Sequence, residues 1–193
     1  MDRKQALVDA ATKLFAANGF DATSTASIGL SAGVTEPLIH YHFKSKDGLF
    51  AHILEEAFAE YFARFEALPD GTKTEFYKLK NLISLHFKFA EDFPDPSFIV
   101  ISACPAKLQD AAHVCARYVA EQGARLSGYI AACLENGMLT GEFKKVPVEA
   151  TTGLLLAMVN GLMRRKTLKL DQIDGLKDAT VDFCREALCL VDR

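Results

Sequence analysis

No stretch of this chain stays apolar for long enough to cross a bilayer. The longest such run, GLLLAMVNGLM at 153–163, is short and is interrupted by Asn160, so no membrane span is expected. Positive charge is not in excess either. The 193 residues carry a formal net charge of −3, and positions 1–50 balance Arg3, Lys4, Lys13, Lys44 and Lys46 against Asp2, Asp9, Asp21, Glu36 and Asp47. That balance excludes a protein that coats nucleic acid by bulk electrostatics. Any affinity for DNA must come from local placement of donors and from helix N-termini, doubled by dimerisation. The cysteines (Cys104, Cys115, Cys133, Cys184, Cys189) are odd in number, form no CxxC pair and follow no signal peptide. A disulfide framework is therefore not expected, and a reduced, cytoplasmic setting is. Their spacing relative to His86 and His113 matches no familiar ligand pattern, so no metal site is expected. There is also no GxSxG, no HExxH, no phosphate-cradling glycine loop and no carboxylate pair in an apolar stretch. Neither enzyme activity nor a cofactor is expected.

Alternating apolar and polar runs of strand length are missing as well. Half of the chain is apolar, enough for a substantial core, and those residues recur at three- and four-residue spacing throughout, which predicts an all-α fold. A first helix over about Arg3–Asn18 places Leu7, Ala10, Ala11, Leu14 and Phe15 on one side and ends at Gly19, with Phe20 closing a small core. A fourth helix, capped by Ser45 or Asp47, runs to about Leu68 with a wide apolar face. Pro69-Asp70-Gly71 makes a turn before a helix over 72–92, which Pro94-Asp95-Pro96 stops. A short apolar segment, 97–104, leads to Pro105 and a long helix from about 106 to Asn136, closing at Gly137. Pro147 suits the first turn of a helix to about Leu168, and Leu170-Asp171 or Asp174 begins the last. The breakers give about nine helices.

Between the first and fourth helices the chain reads GFDATSTASIGLSAGVTEPLIHYHFKSKDGLF. Ser24 or a neighbouring threonine can cap a short helix through Leu30, Gly33 breaks it, and Thr35 can cap a second short helix. In that second helix Glu36 suits the positive dipole end and Pro37 the first turn. Two short helices across a glycine-centred turn form a helix-turn-helix, the unit that reads a DNA groove. Periodicity assigns Ile39 and Phe43 to the core and leaves Glu36, Pro37, Leu38, His40 and Tyr41 for the groove. Thr25 and Thr35 offer hydroxyls to phosphate or to helix caps. Gly29 should weaken its helix by roughly 1 kcal/mol unless close packing requires it.

The segments Ala32-Gly33-Val34-Thr35, His42-Phe43, Ser45-Lys46-Asp47 and Leu49-Phe50, preceded by Ala10-Ala11, Leu14-Phe15 and Gly19-Phe20, resemble the tetracycline-repressor (TetR) family of bacterial transcription regulators. The resemblance implies a three-helix DNA-binding domain over 1–46, followed by a larger helical domain over 47–193 that binds a small-molecule effector and forms a homodimer. It implies backbone contacts from Tyr41, His42 and Lys46. It also places His40 where the family usually carries tyrosine, a position that touches bases or phosphates. The partners implied are double-stranded operator DNA, an effector and a second copy of the chain, with the operator released on effector binding.

In the larger domain a few polar groups stand among many aromatics, the pattern of a small-molecule pocket. His86, Phe87, Phe98, His113, Tyr118, Met158 and Asn160 are its expected lining, for a largely apolar ligand. Ile173, Leu176, Thr180, Phe183, Ala187 and Leu190 form one stripe of the last helix, and Val181, Cys184, Leu188 and Val191 form a second beside it. Gly153, Ala157 and Gly161 recur every fourth residue in the preceding helix, so the last two helices are expected to make a four-helix bundle with their mates. Two other readings are a cysteine-based redox switch on the same scaffold and a helical enzyme or ligand carrier without operator binding.

Overall fold

The structure, a computed structural model, describes residues 2–69, 74–102, 110, 113–167 and 173–190. Among these residues there are nine helices and no strand: α1 (Arg3–Asn18), α2 (Thr25–Ala32), α3 (Pro37–Phe43), α4 (Lys46–Glu66), α5 (Glu75–Asp92), α6 (Pro94–Ser102), α7 (Val114–Leu139), α8 (Val148–Thr167) and α9 (Leu176–Leu188). The apolar segment after Pro94 is thus a helix in its own right. Proline occupies its first position, where a missing N–H costs nothing. The long helix continues past Gly137 to Leu139, because Gly137 is buried inside its last turn rather than ending it. Asp70-Gly71 of the expected turn, the stretch around Cys104 and Pro105, Leu170-Asp171 and Val191 lie outside the described residues. No helix among the described residues is long and apolar enough to cross a membrane.

The chain divides into two compact units, one of residues 1–61 and 93–120, the other of residues 62–92 and 121–193. The helix-turn-helix lies wholly in the first unit, which extends beyond residue 46 to take in most of α4 together with α6. Its core is aromatic. The Phe15 and Phe20 rings stack at 5.3 Å, and Phe50 meets both edge-on at 5.4 and 5.1 Å, while Leu7, Ile28, Ile39 and Leu49 are fully buried around them. Helix α6 packs against α1, and the Tyr118 ring meets Phe58 edge-on at 5.5 Å.

In the second unit α5 is the central element, and both α8 and α9 pack on it. Its N-terminus is held from far along the chain. The Glu142 carboxylate accepts from the Glu75 N–H at 2.7 Å and from the Phe76 N–H at 2.8 Å, satisfying two of the donors that a helix start leaves free and placing negative charge at its positive end. Glu142 is itself fixed by a short antiparallel pairing. Lys144 N–H donates to Leu188 O at 2.8 Å and Leu190 N–H donates to Glu142 O at 3.0 Å, so the end of α9 is tied to the segment that caps α5. Replacing Glu142 with alanine is expected to destabilise the protein by about 1–2 kcal/mol. Equilibrium urea unfolding checks this, with Glu142→Gln, which keeps one acceptor oxygen, falling between the two.

Candidate nucleic-acid interface

Local sequence builds the hairpin largely as its composition predicts. Ser24 is the cap of α2, accepting from the Ser27 N–H at 3.0 Å. Gly33 ends that helix in the left-handed conformation, with its N–H on Leu30 O. Ser45 caps α4 by accepting from the Gly48 N–H. The second short helix starts differently from expectation. Glu36 stands at the cap position with helical backbone angles and no side-chain cap, and Thr35 does not act as one. The Glu36 carboxylate instead takes the Thr25 hydroxyl at 2.5 Å, a bond that ties the start of α2 to the start of α3 and occupies both side chains. Gly29 is explained by a close approach: a β-carbon there would meet Val34 O at 3.1 Å and Glu36 N at 3.2 Å, so the missing side chain lets the turn backbone fold onto α2.

Helix α3 sorts as its periodicity requires. Ile39 and Phe43 are buried, Pro37 and His40 are exposed, Tyr41 is 73% exposed, and His42 is half-buried with its ring 4.9 Å from that of Tyr41. The His40 ring is folded toward the end of the helix, with Nδ1 3.1 Å from Lys44 O. Lys46 has a role within the fold beyond the backbone contact that the resemblance implies. It is half-buried, its Nζ donates to Phe20 O at 2.9 Å and Thr23 O at 2.8 Å, and the same ammonium lies 4.3 Å from the Phe20 ring centre. Two of its three protons therefore serve the turn between α1 and α2. Thr23 is buried in that turn, its hydroxyl donating to Gly19 O at 2.8 Å with Leu14 O also within reach at 3.3 Å.

Lys44 is the residue that sequence reasoning passed over. It is exposed immediately after α3 and has φ +69°, a conformation that costs a lysine energy that a glycine avoids. Strain of this kind gathers at functional positions. Only a backbone angle, which apolar periodicity does not encode, distinguishes this lysine from other surface lysines.

The profile described as "Bacterial regulatory proteins, tetR family" matches residues 7–53, the segment that contains most of α1, all of α2 and α3 and the first turns of α4. The N-terminal domain belongs to the tetR family. Similar proteins include the HTH-type transcriptional regulator AcrR of Shigella flexneri, 37% identical over 75 residues that make up 35% of each chain. The chain spans less than half the length of the curated relatives it matches. Similarity of fold extends further. A tetR-family regulatory protein from Rhodococcus RHA1 superposes over all of both chains with TM-score 0.84 at 16% identity. The FadR regulator of Bacillus subtilis, solved in complex with stearoyl-CoA, superposes over 93% of this chain and 96% of its own with TM-score 0.77 at 19% identity.

The expected effector lining is dispersed. His86 lines a small apolar cavity of about 20 Å³, room for one water, with Leu79, Leu82, Ile83, Ile130, Leu155, Leu156, Val159 and Cys184. Its Nδ1 donates to Leu82 O, and burial lowers its pKa to about 4, so it offers a neutral hydrogen-bonding group and no charge. Phe87 is buried with the Lys166 ammonium over its ring, and Met158 is half-buried. Phe98, His113 and Tyr118 belong to the first unit. Asn160 is a correction: it is exposed beside Gly161, on the same face as Gly153 and Ala157, because a three-residue step from Ala157 keeps it on that side of α8.

The two stripes of the last helix separate clearly. Val181, Cys184 and Leu188 are buried, whereas Phe183 is 63% exposed and Ile173, Ala187 and Leu190 are also exposed; Leu176 is intermediate. Thr180 is the exception. It is buried and donates to Leu176 O, because four-residue steps place it with Cys184 and Leu188. Among the described residues no cluster could hold a metal ion. Burial pushes the Cys133 thiol up to about 12, with the Glu75 carboxylate adding to it, and the Cys184 thiol to about 11; the Cys189 thiol is also raised. Such thiols are poor nucleophiles, which counts against a redox switch built on them.

Replacing Lys44 with glycine is expected to stabilise the protein by about 1 kcal/mol through relief of the backbone strain. The same substitution is expected to weaken duplex DNA binding and to reduce the log–log salt slope by roughly one per subunit. Thermal unfolding and binding titrations at several salt concentrations check the two halves of this expectation.

Proposed function

We propose that the protein is a transcriptional repressor that binds a palindromic operator as a homodimer and is released by a small, largely apolar effector. The observation that carries this reading is the exposed face of α3. Pro37, His40 and Tyr41 point outward on a helix fixed by Ile39 and Phe43, in the domain that matches the tetR-family profile. Lys44 and the ring of His42 stand beside that face and offer phosphate contacts, and base contacts fall to the exposed side chains of α3.

The dimer reading is supported by an apolar surface with no partner among the described residues. Gly153, Leu154, Ala157 and Gly161 on α8, Phe183 and Ala187 on α9 and Leu190 just beyond it are all exposed, with Leu154 at 66%. The small residues of α8 permit close helix approach to a second copy. Two subunits place two reading helices on one duplex and explain how a chain without net positive charge acquires useful affinity.

The effector half rests on the second unit. The cavity beside His86 is lined by apolar groups and a neutral imidazole, and a charged ligand would lose hydration there without compensation. An acyl or aromatic compound fits that chemistry once the helices part to enlarge the space. Only the acyl chain of the stearoyl-CoA bound in the FadR structure is in keeping with this class, because its coenzyme A part is charged. Helix α4 is continuous from Lys46 to Glu66 and so connects the unit that reads DNA with the unit that senses.

Selection from a randomised duplex pool is expected to enrich a palindrome. Ala157→Arg is expected to give a monomer by light scattering, with helicity retained and operator affinity lost. A dimer unaffected by this arginine contradicts the assigned interface, and a pool with no enriched sequence contradicts the DNA-binding reading. An effector of the proposed class raises the melting temperature and lowers operator affinity together, since linkage makes the two sites act on each other reciprocally; stabilisation without loss of DNA affinity contradicts the release mechanism.

A further inference from the structure

The tautomer of His40 is fixed by its own backbone. A carbonyl oxygen only accepts, so the 3.1 Å contact between His40 Nδ1 and Lys44 O requires the proton of the neutral ring to be on Nδ1. Lys44 is the residue held at φ +69°, and its N–H donates in turn to His40 O at 3.1 Å. The turn that ends α3 is thus closed on both sides by His40. Its Nε2, across the ring, has no partner among the described residues, and the side chain is exposed.

A neutral imidazole arranged in this way presents only a lone pair to the outside. Phosphate oxygens are acceptors too, so this ring has nothing to offer the DNA backbone. In the major groove the available donors are the exocyclic amines, N6 of adenine and N4 of cytosine, whereas guanine N7 and O6 and thymine O4 only accept. We propose that His40 is a specificity-determining residue that reads an exocyclic amine, of adenine or cytosine, through Nε2 as acceptor. This rests on the reading of α3 as the groove-facing helix and assigns that helix a chemical preference.

The test is site selection from a randomised duplex pool at about pH 8, using the full chain and its His40→Ala and His40→Lys variants. The wild type is expected to enrich adenine or cytosine at one step of each half-site. The alanine variant loses the preference at that step alone, and the lysine variant, which can only donate, moves it to guanine. Removing the amine from the enriched base, with purine for adenine or pyrimidin-2-one for cytosine, is expected to weaken wild-type binding about 3- to 10-fold. The same change should leave the alanine variant nearly unaffected. An enriched palindrome that is identical for all three proteins overturns this inference and leaves the DNA-binding reading standing. Enrichment of guanine by the wild type at the step that His40→Ala relaxes overturns the acceptor role. A pool with no enriched sequence overturns the DNA-binding reading, and this inference with it.

Discussion

The Lys46 ammonium, lodged against the Phe20 ring and bonded to the carbonyls of Phe20 and Thr23, is the contact on which the arrangement of the first unit depends. Those carbonyls belong to the turn that joins α1 to α2. Thr23 stitches the same turn to Leu14 O and Gly19 O from the other side. The direction in which α2 leaves the turn is therefore set by the first residue of α4, more than twenty positions along the chain. Hydrogen bonds from a charged donor are worth more than neutral ones, and a cation over an aromatic face adds further. A single side chain thus links the start of α4 to the turn that launches the helix-turn-helix, and the bond between Thr25 and Glu36 passes that placement on to α3.

The second unit uses the same device with opposite charge. Glu142 reaches back to the first N–H groups of α5 while its backbone is paired with the end of α9. Helix α5 in turn supports α8 and α9, whose outward faces carry exposed apolar side chains. Burying Val181, Cys184 and Leu188 on one side leaves Phe183, Ala187 and Leu190 on the other, which is the division an amphipathic helix needs if it serves a core and an interface at once.

Much of this was legible in the amino-acid order because it is local. Apolar periodicity and the breakers at Gly33, Pro37, Pro94 and Pro147 locate the helices, and Ser24 and Ser45 identify two caps. What could not be read is long-range or conformational. Lys46 as a clamp, Glu142 as the cap of α5 and Glu36 as the partner of Thr25 each join residues that no spacing rule connects. The strained φ of Lys44 and the tautomer of His40 are matters of backbone geometry. Pocket residues scattered for a related reason: a helical pattern shows that Phe98, Tyr118 and His86 sit on apolar faces, yet it does not say which of two units those faces belong to.

The central claim is that Lys46 holds the hairpin through the turn between α1 and α2. The direct measurement is residue-resolved amide hydrogen exchange in Lys46→Met, which keeps an apolar stem of similar length and removes the charge. Amides of α2 and α3 are predicted to lose protection together, while those of α5 and α9 keep theirs. Unchanged protection across residues 25–43 in that variant would contradict the account.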